Sequence, residues 1–251
     1  MGLVGSGGGS GGGTSAPAQT DVAVEETEQT REMKVFLNRV MNDVQDVFAT
    51  QFSQERLAKP YRLSKLKVFA EAVQTSCGVA GSDTGPFYCP GDEFAYLDMS
   101  FFKTLADKLD APGDFAQAYV IAHEMGHHAQ KILGINDLVA QKQRALPEEE
   151  GNQWSVRQEL QADCYAGVWG HYKQPGKSTG GFVLEPGDID EGIKAALEIG
   201  DDRLQKRAGG GVNPEQWTHG SSAQRISWFR RGLEAGKLSA CDTFSGAYKS
   251  L

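Results

Sequence analysis

Three of the chain's five histidines fall within six residues, in His123-Glu124-Met125-Gly126-His127-His128. The spacing H-E-x-x-H has a chemical meaning only on a helix. There, residues four apart share a face, so two imidazoles can hold one metal ion while the glutamate between them reaches a water bound to it. The flanking residues supply that helix. Phe115, Tyr119, Ala122, Gly126, Ala129 and Leu133 make a stripe of apolar and small residues from Asp114 to Leu133. Asp114 and Gln117 resemble a capping box at one end, and Gly134 is placed as a left-handed cap at the other. His123 and His127 adjoin the stripe and are expected to be partly buried. His128 points about 100 degrees away from His127 and is read as structural.

Two histidines do not complete a catalytic zinc site, which commonly has three protein ligands and one position open to water. A second helical segment, from about Gln153 to Tyr172, carries Glu159 and Asp163 four residues apart on one face. Glu159 is the candidate third ligand. Asp163 is the candidate acceptor for the N–H of a ligating imidazole, an arrangement that fixes the tautomer and raises ligand basicity. Ala162, Ala166, Gly167 and Gly170 leave room on that segment for the close helix approach a shared metal requires.

The rest of the chain reads as a helix-rich α+β domain with one small sheet. Its 251 residues with 39% hydrophobic content can bury a core. A net charge of −8 leaves no electrostatic footprint for nucleic acid or anionic lipid. No apolar run reaches the 18 or so residues a spanning helix needs, so the sequence reads as a water-soluble polypeptide. Residues 1–26 open with a Gly/Ser-rich stretch expected to act as a flexible tether, leaving 27–251 as the folded domain. Helices are expected near 27–51, 100–109, 137–145, 188–207 and 222–235, strands at 65–73 and 93–98, and a solvated loop at Glu148-Glu149-Glu150. His171, near a helix end, is given no role.

The segment from His123 to Gln130 and the run Val156-Arg-Gln-Glu-Leu-Gln-Ala-Asp-Cys-Tyr-Ala-Gly167 resemble the bacterial putative neutral zinc metallopeptidase family. Cys77-Gly78, Gly85-Pro-Phe-Tyr-Cys-Pro90 and Thr218-His-Gly-Ser-Ser-Ala-Gln-Arg-Ile-Ser-Trp-Phe-Arg-Arg-Gly232 extend the likeness over Met33 to Cys241. The resemblance implies a zincin-like metalloprotease domain. Zn2+ would be held by His123, His127 and Glu159, with Glu124 as general base and Asp163 behind an imidazole. It also implies a place in the cell envelope, periplasmic or extracytoplasmic, through an N-terminal membrane helix. This sequence lacks that helix, so an anchor upstream of the tether is expected.

Peptide hydrolysis needs a donor for the developing oxyanion. His219 is the first candidate, with Arg225 and Tyr165 behind it, and His219 has an equal reading as a core or helix-end histidine. Peptide or protein substrates of such enzymes bind extended along a sheet edge, for which Glu93 to Asp98 is the candidate, or else an ordinary core strand. Neither cysteine spacing is a C-x-x-C metal motif. Bridges Cys77 to Cys89 and Cys164 to Cys241 are therefore expected if the domain works outside the reducing cytosol, the second pinning the C-terminal segment and His219 against the metal helix. A Cys164 thiolate as ligand is a lesser reading. Two other functions stay open: a metal-binding envelope module without catalysis, and a di-iron carboxylate protein, for which a second E-x-x-H is missing.

Overall fold

One helix, α3 (Asp114–Leu133), runs through the middle of the molecule and is buried along most of its length. Its alanines and single glycine let neighbours approach from several sides, while Phe115, Tyr119, Ile121, Met125 and Ile132 fill the space between. It ends where Gly134 turns left-handed at φ 82°, a conformation that glycine adopts without a Cβ penalty. The computed structural model describes residues 24–81, 84–109, 111–177 and 181–251, so the tether read at residues 1–26 lies, up to residue 23, outside the described residues.

Around α3 pack α1 (Glu28–Gln54), α4 (Ile135–Ala145), α5 (Glu148–Lys173) and α6 (Asp188–Glu198). The short helices α2 (Met99–Asp107) and α7 (Asp201–Arg207) and the C-terminal α8 (Ser222–Ala235) complete the helical set among the described residues. Thr27 and Thr30 cap α1 reciprocally, and its inner stripe of Leu37, Val40, Val44, Phe48 and Phe52 joins the main core. Each such side chain taken from water contributes about 1.5–3 kcal/mol, which is what holds so long a helix in place.

Five short strands among the described residues complete the α+β architecture. β1 (Lys65–Phe69) pairs in parallel with β5 (Phe94–Asp98), and β4 (Phe87–Cys89) pairs antiparallel with the other side of β5. β2 (Ala72–Thr75) and β3 (Gly78–Gly81) form a separate hairpin. The strand expected from 65 to 73 is thus two, broken at Glu71, whose φ of 61° cannot continue a ladder. The 93–98 segment is a strand, the central one of the three-stranded sheet, so the core-strand reading holds; the edges are β1 and β4, and β4 is the one that lines the cavity described below.

Three further expectations are corrected. The helix read over 188–207 breaks into α6 and α7 because α8 begins against Gly200, where a Cβ would lie 2.5 Å from the Ser222 nitrogen. Glu148 to Glu150 are the first turn of α5, where their charges suit the positive helix end. The Asp114–Gln117 capping box does not form. The N-cap is Gly113, and the Phe115 N–H is satisfied from another helix, by Glu191 of α6 at 3.2 Å.

Both expected disulfides are present, Cys77–Cys89 and Cys164–Cys241. They fit an oxidising, extracytoplasmic setting. No helix among the described residues is long and apolar enough to cross a membrane. The second bridge ties the C-terminal tail to α5, where Gln161 donates to the Cys241 carbonyl at 3.0 Å and Arg157 donates to the carbonyls of Thr243 and Gly246.

α5 and α8 meet backbone to backbone. A Cβ at Gly167 would lie 2.0 Å from the Phe229 carbonyl oxygen, and one at Gly232 would lie 1.9 Å from that of Cys164. Neither contact is with a side chain that can swing away. Gly167→Ala is therefore expected to destabilise the domain by about 2–3 kcal/mol despite alanine's better helix propensity, measured by urea unfolding. An unchanged midpoint would contradict this packing.

Candidate metal centre

α3 and α5 cross tightly beside the two motif histidines. A Cβ at Gly126, between the two motif histidines, would be 3.1 Å from Ala162 Cα, so small residues on both helices set the separation. His123, Glu124 and His127 project from one side of this crossing, and Glu159 meets them from the other. The ligand atoms of His123, His127 and Glu159 all lie within 4.8 Å of one another.

Hydrogen bonds define the neutral tautomer of both rings. His123 Nδ1 lies 2.8 Å from Asp163 Oδ1, an acceptor only, so in the neutral ring Nδ1 carries the proton and Nε2 is left with its lone pair. His127 Nδ1 lies 2.8 Å from Gln130 Oε1. The Gln130 amide is itself oriented, because its NH2 donates to the Gln158 carbonyl at 2.7 Å and to Gln161 Oε1 at 3.1 Å. Its oxygen must therefore accept from His127, which again frees Nε2. The two free nitrogens face the Glu159 carboxylate, His123 Nε2 at 3.0 Å and His127 Nε2 at 3.4 Å.

Lone pairs directed at a carboxylate call for a cation. Ligands about 2.0–2.1 Å from a tetrahedral zinc lie about 3.3 Å from each other, so these separations and this nitrogen and oxygen donor set suit that ion. A proton can meet the same demand: burial favours neutral imidazoles, yet Asp163 and Glu159 outweigh it at His123, raising its pKa to about 10, and Glu159 raises that of His127. Burial also opposes a charge on Glu159, but the two histidines hold its carboxyl well below the usual range.

Asp163 has no exposed surface and is fully partnered. Besides His123 it accepts from the Tyr119 hydroxyl and from Arg225, whose Nε reaches Oδ2 at 2.8 Å and whose Nη2 reaches Oδ1 at 2.9 Å. Burial works against its charge, and Arg225 and His123 outweigh that penalty. Arg225 is thereby committed. As a buried, two-pronged partner of Asp163 it supports His123 and is not a free oxyanion donor. Tyr165 is also excluded from that role, since it is buried against Phe48 and does not line the cavity described below.

Glu124 is buried, and burial raises its pKa above the ordinary glutamate value while His127 and His123 partly offset this. The cluster opens into a cavity of about 690 Å³ lined by Glu124, Phe87 and Tyr88 of β4, Val139 of α4 and His219. His219, half exposed, is held by Asp201 of α7, not by the Cys164–Cys241 bridge. Asp201 accepts from its backbone N–H at 2.7 Å and lies 3.1 Å from its Nδ1. Tyr119 and Gln130 are functional neighbours that the motif alone does not name. Both are signalled by spacing, Tyr119 four residues before His123 and Gln130 three after His127.

Comparison with known proteins agrees with this geometry. The profile of the family described as "Putative neutral zinc metallopeptidase" matches residues 1–244. The chain is 49% identical over 209 residues to the "Uncharacterized protein YpfJ" of Escherichia coli K12, covering 83% of this chain and 70% of that protein. It is 45% identical over 211 residues to the "Uncharacterized protein Rv2575" of Mycobacterium tuberculosis H37Rv, covering 80% and 70% respectively. No solved structure matches. A match over nearly the whole chain, with relatives sharing close to half its residues, places this protein in the putative neutral zinc metallopeptidase family.

Proposed function

We propose that the protein is a zinc-dependent peptidase, with His123, His127 and Glu159 as metal ligands and Glu124 as general base. One observation carries this reading: two imidazoles, each with its Nδ1 proton already bonded, turn their free nitrogens on one carboxylate beside a raised-pKa glutamate in an open cavity. A zinc ion bound there would polarise the peptide carbonyl and bring the pKa of its water to near 7.

The chain's own groups account for the remaining steps. Glu124 accepts a proton from the attacking water and delivers it to the nitrogen of the leaving amine, a role that a carboxyl raised toward the working pH performs best. Asp163, itself fixed by Arg225 and Tyr119, keeps the His123 ring oriented. His219 is the donor to the developing oxyanion. Its Nδ1 faces Asp201, so Nε2 carries a proton only when the ring is charged.

β4 pairs on one side only and lines the cavity, so an extended peptide would bind along its open edge. The substrate is a peptide or protein. The site lies in the cell envelope, through an N-terminal anchor upstream of the glycine-rich segment.

Purified protein is expected to hold about one zinc per chain, with Glu159→Ala losing it. Glu124→Gln should keep the zinc and lower hydrolysis of an unfolded protein substrate by at least about 100-fold. Full activity in Glu124→Gln would overturn the mechanism, and two irons per chain would overturn the metal. Zinc held without any hydrolysis by the wild type would favour the binding-module reading.

His219→Ala is expected to reduce kcat by about 100-fold with zinc retained. The pH profile gives a second check. The Asp201 hydrogen bond raises the His219 pKa, with Glu159 adding to it and burial and Arg225 opposing. The donor is present below that raised pKa and is lost as pH climbs through it. Asp201→Asn should therefore move the alkaline limb of kcat to lower pH, and an unmoved limb would remove His219 from this role.

A further inference from the structure

His128, third histidine of the cluster, differs from its neighbours in tautomer. Its Nε2 lies 2.7 Å from the Arg62 carbonyl oxygen, which can only accept, so Nε2 carries the proton and Nδ1 the lone pair. That lone pair receives the Tyr88 hydroxyl at 2.9 Å. Burial raises the Tyr88 pKa, so the hydroxyl keeps its proton. Both nitrogens of His128 are spent, the ring has no exposed surface, and Tyr61 and Tyr88 contact it with centroids 5.5 and 5.4 Å away. A ring so placed cannot bind metal.

Its two partners belong to the sheet side of the molecule. Tyr88 is the middle residue of β4, the edge strand that lines the cavity. Arg62 precedes β1 and is joined to the turn before β5 through its ion pair with Glu93, Nε to Oε2 at 2.8 Å. β4 is only three residues long and holds to the sheet on one side. Beyond the Cys77–Cys89 bridge at its last residue, so few ladder bonds fix the strand weakly. His128 adds a bond from α3, the same helix that carries His123, Glu124 and His127.

We propose that His128 is a positioning residue: through Tyr88 it pins the β4 edge at a set distance from the metal-binding face of α3, and so aligns the substrate backbone with the reacting centre. This rests on the peptidase reading above, which takes β4 as the edge that receives the peptide. A histidine serving stability alone would lower the unfolding midpoint without moving substrate affinity or the local opening of one strand.

The test compares the zinc-loaded wild type with His128→Phe, which removes both bonds and keeps a ring, and with Tyr88→Phe, which removes one bond and perturbs folding least. Amide hydrogen exchange is read at residues 87–89 and across α3, and zinc content and peptide hydrolysis are measured alongside. Expected in both variants are exchange at 87–89 faster by about three- to tenfold, the loss of one modest hydrogen bond, with α3 still protected and zinc unchanged. KM should rise by a similar factor while kcat stays within about twofold, the pattern of lost ground-state alignment.

Folded variants whose exchange and KM both match the wild type overturn the proposal and leave the peptidase reading intact. Loss of zinc in Tyr88→Phe overturns it too, by placing the effect on the metal. A wild type that hydrolyses no peptide, with exchange responding as stated, overturns the peptidase reading while the pinning of β4 stands.

Discussion

A carboxylate with no contact with water is what the candidate metal centre is built around. Asp163 sits on α5 and draws in Tyr119 and His123 from α3 and Arg225 from α8, so one buried charge joins three helices. Such a charge is tolerated only when opposite charge and hydrogen bonds surround it, and removal of one partner from a buried pair typically costs about 3–5 kcal/mol. The same network orients the first motif histidine. Stability and metal geometry therefore share their parts, and Arg225 could not be spared for the reacting oxygen without loosening the ligand.

The close helix crossings follow from that demand. Asp163 can meet α3 and α8 together only if both axes come unusually near α5. Gly126 facing Ala162, and Gly167 and Gly232 facing opposed backbone, provide the room. The histidines show a related economy. His123 and His127 hold the proton on Nδ1 and present Nε2, whereas His128 holds it on Nε2 and presents Nδ1 to a tyrosine. Adjacent residues of one type thus turn to the candidate metal site and to a strand, separated by what their second nitrogens touch.

Much of the site was readable before the fold, because its information is local. His123 with His127, and Glu159 with Asp163, are pairs four apart, and helical periodicity converts that spacing directly into a shared face. Other features depend on contacts remote in sequence. Arg225 looks like a free cation at a helix start until Asp163, 62 residues earlier, is seen in its fork. The Phe115 N–H finds its cap 76 residues away in Glu191, and the break between α6 and α7 comes from Ser222 lying against Gly200. Of the two readings of the Phe94–Asp98 run the core strand holds, and the cavity-lining edge escapes the sequence because β4 has three residues, too few for any alternation to register.

The placement of Arg225 so late in the chain also bears on how the molecule comes into being. Until α8 has been synthesised and has docked, Asp163 lacks Arg225, and α3 and α5 close round it with only Tyr119 and His123 to offset its burial. The candidate metal centre is then complete only once the last long helix is in place. A nascent polypeptide still threading from its ribosome would carry the whole HExxH segment without the arginine that fixes its first histidine.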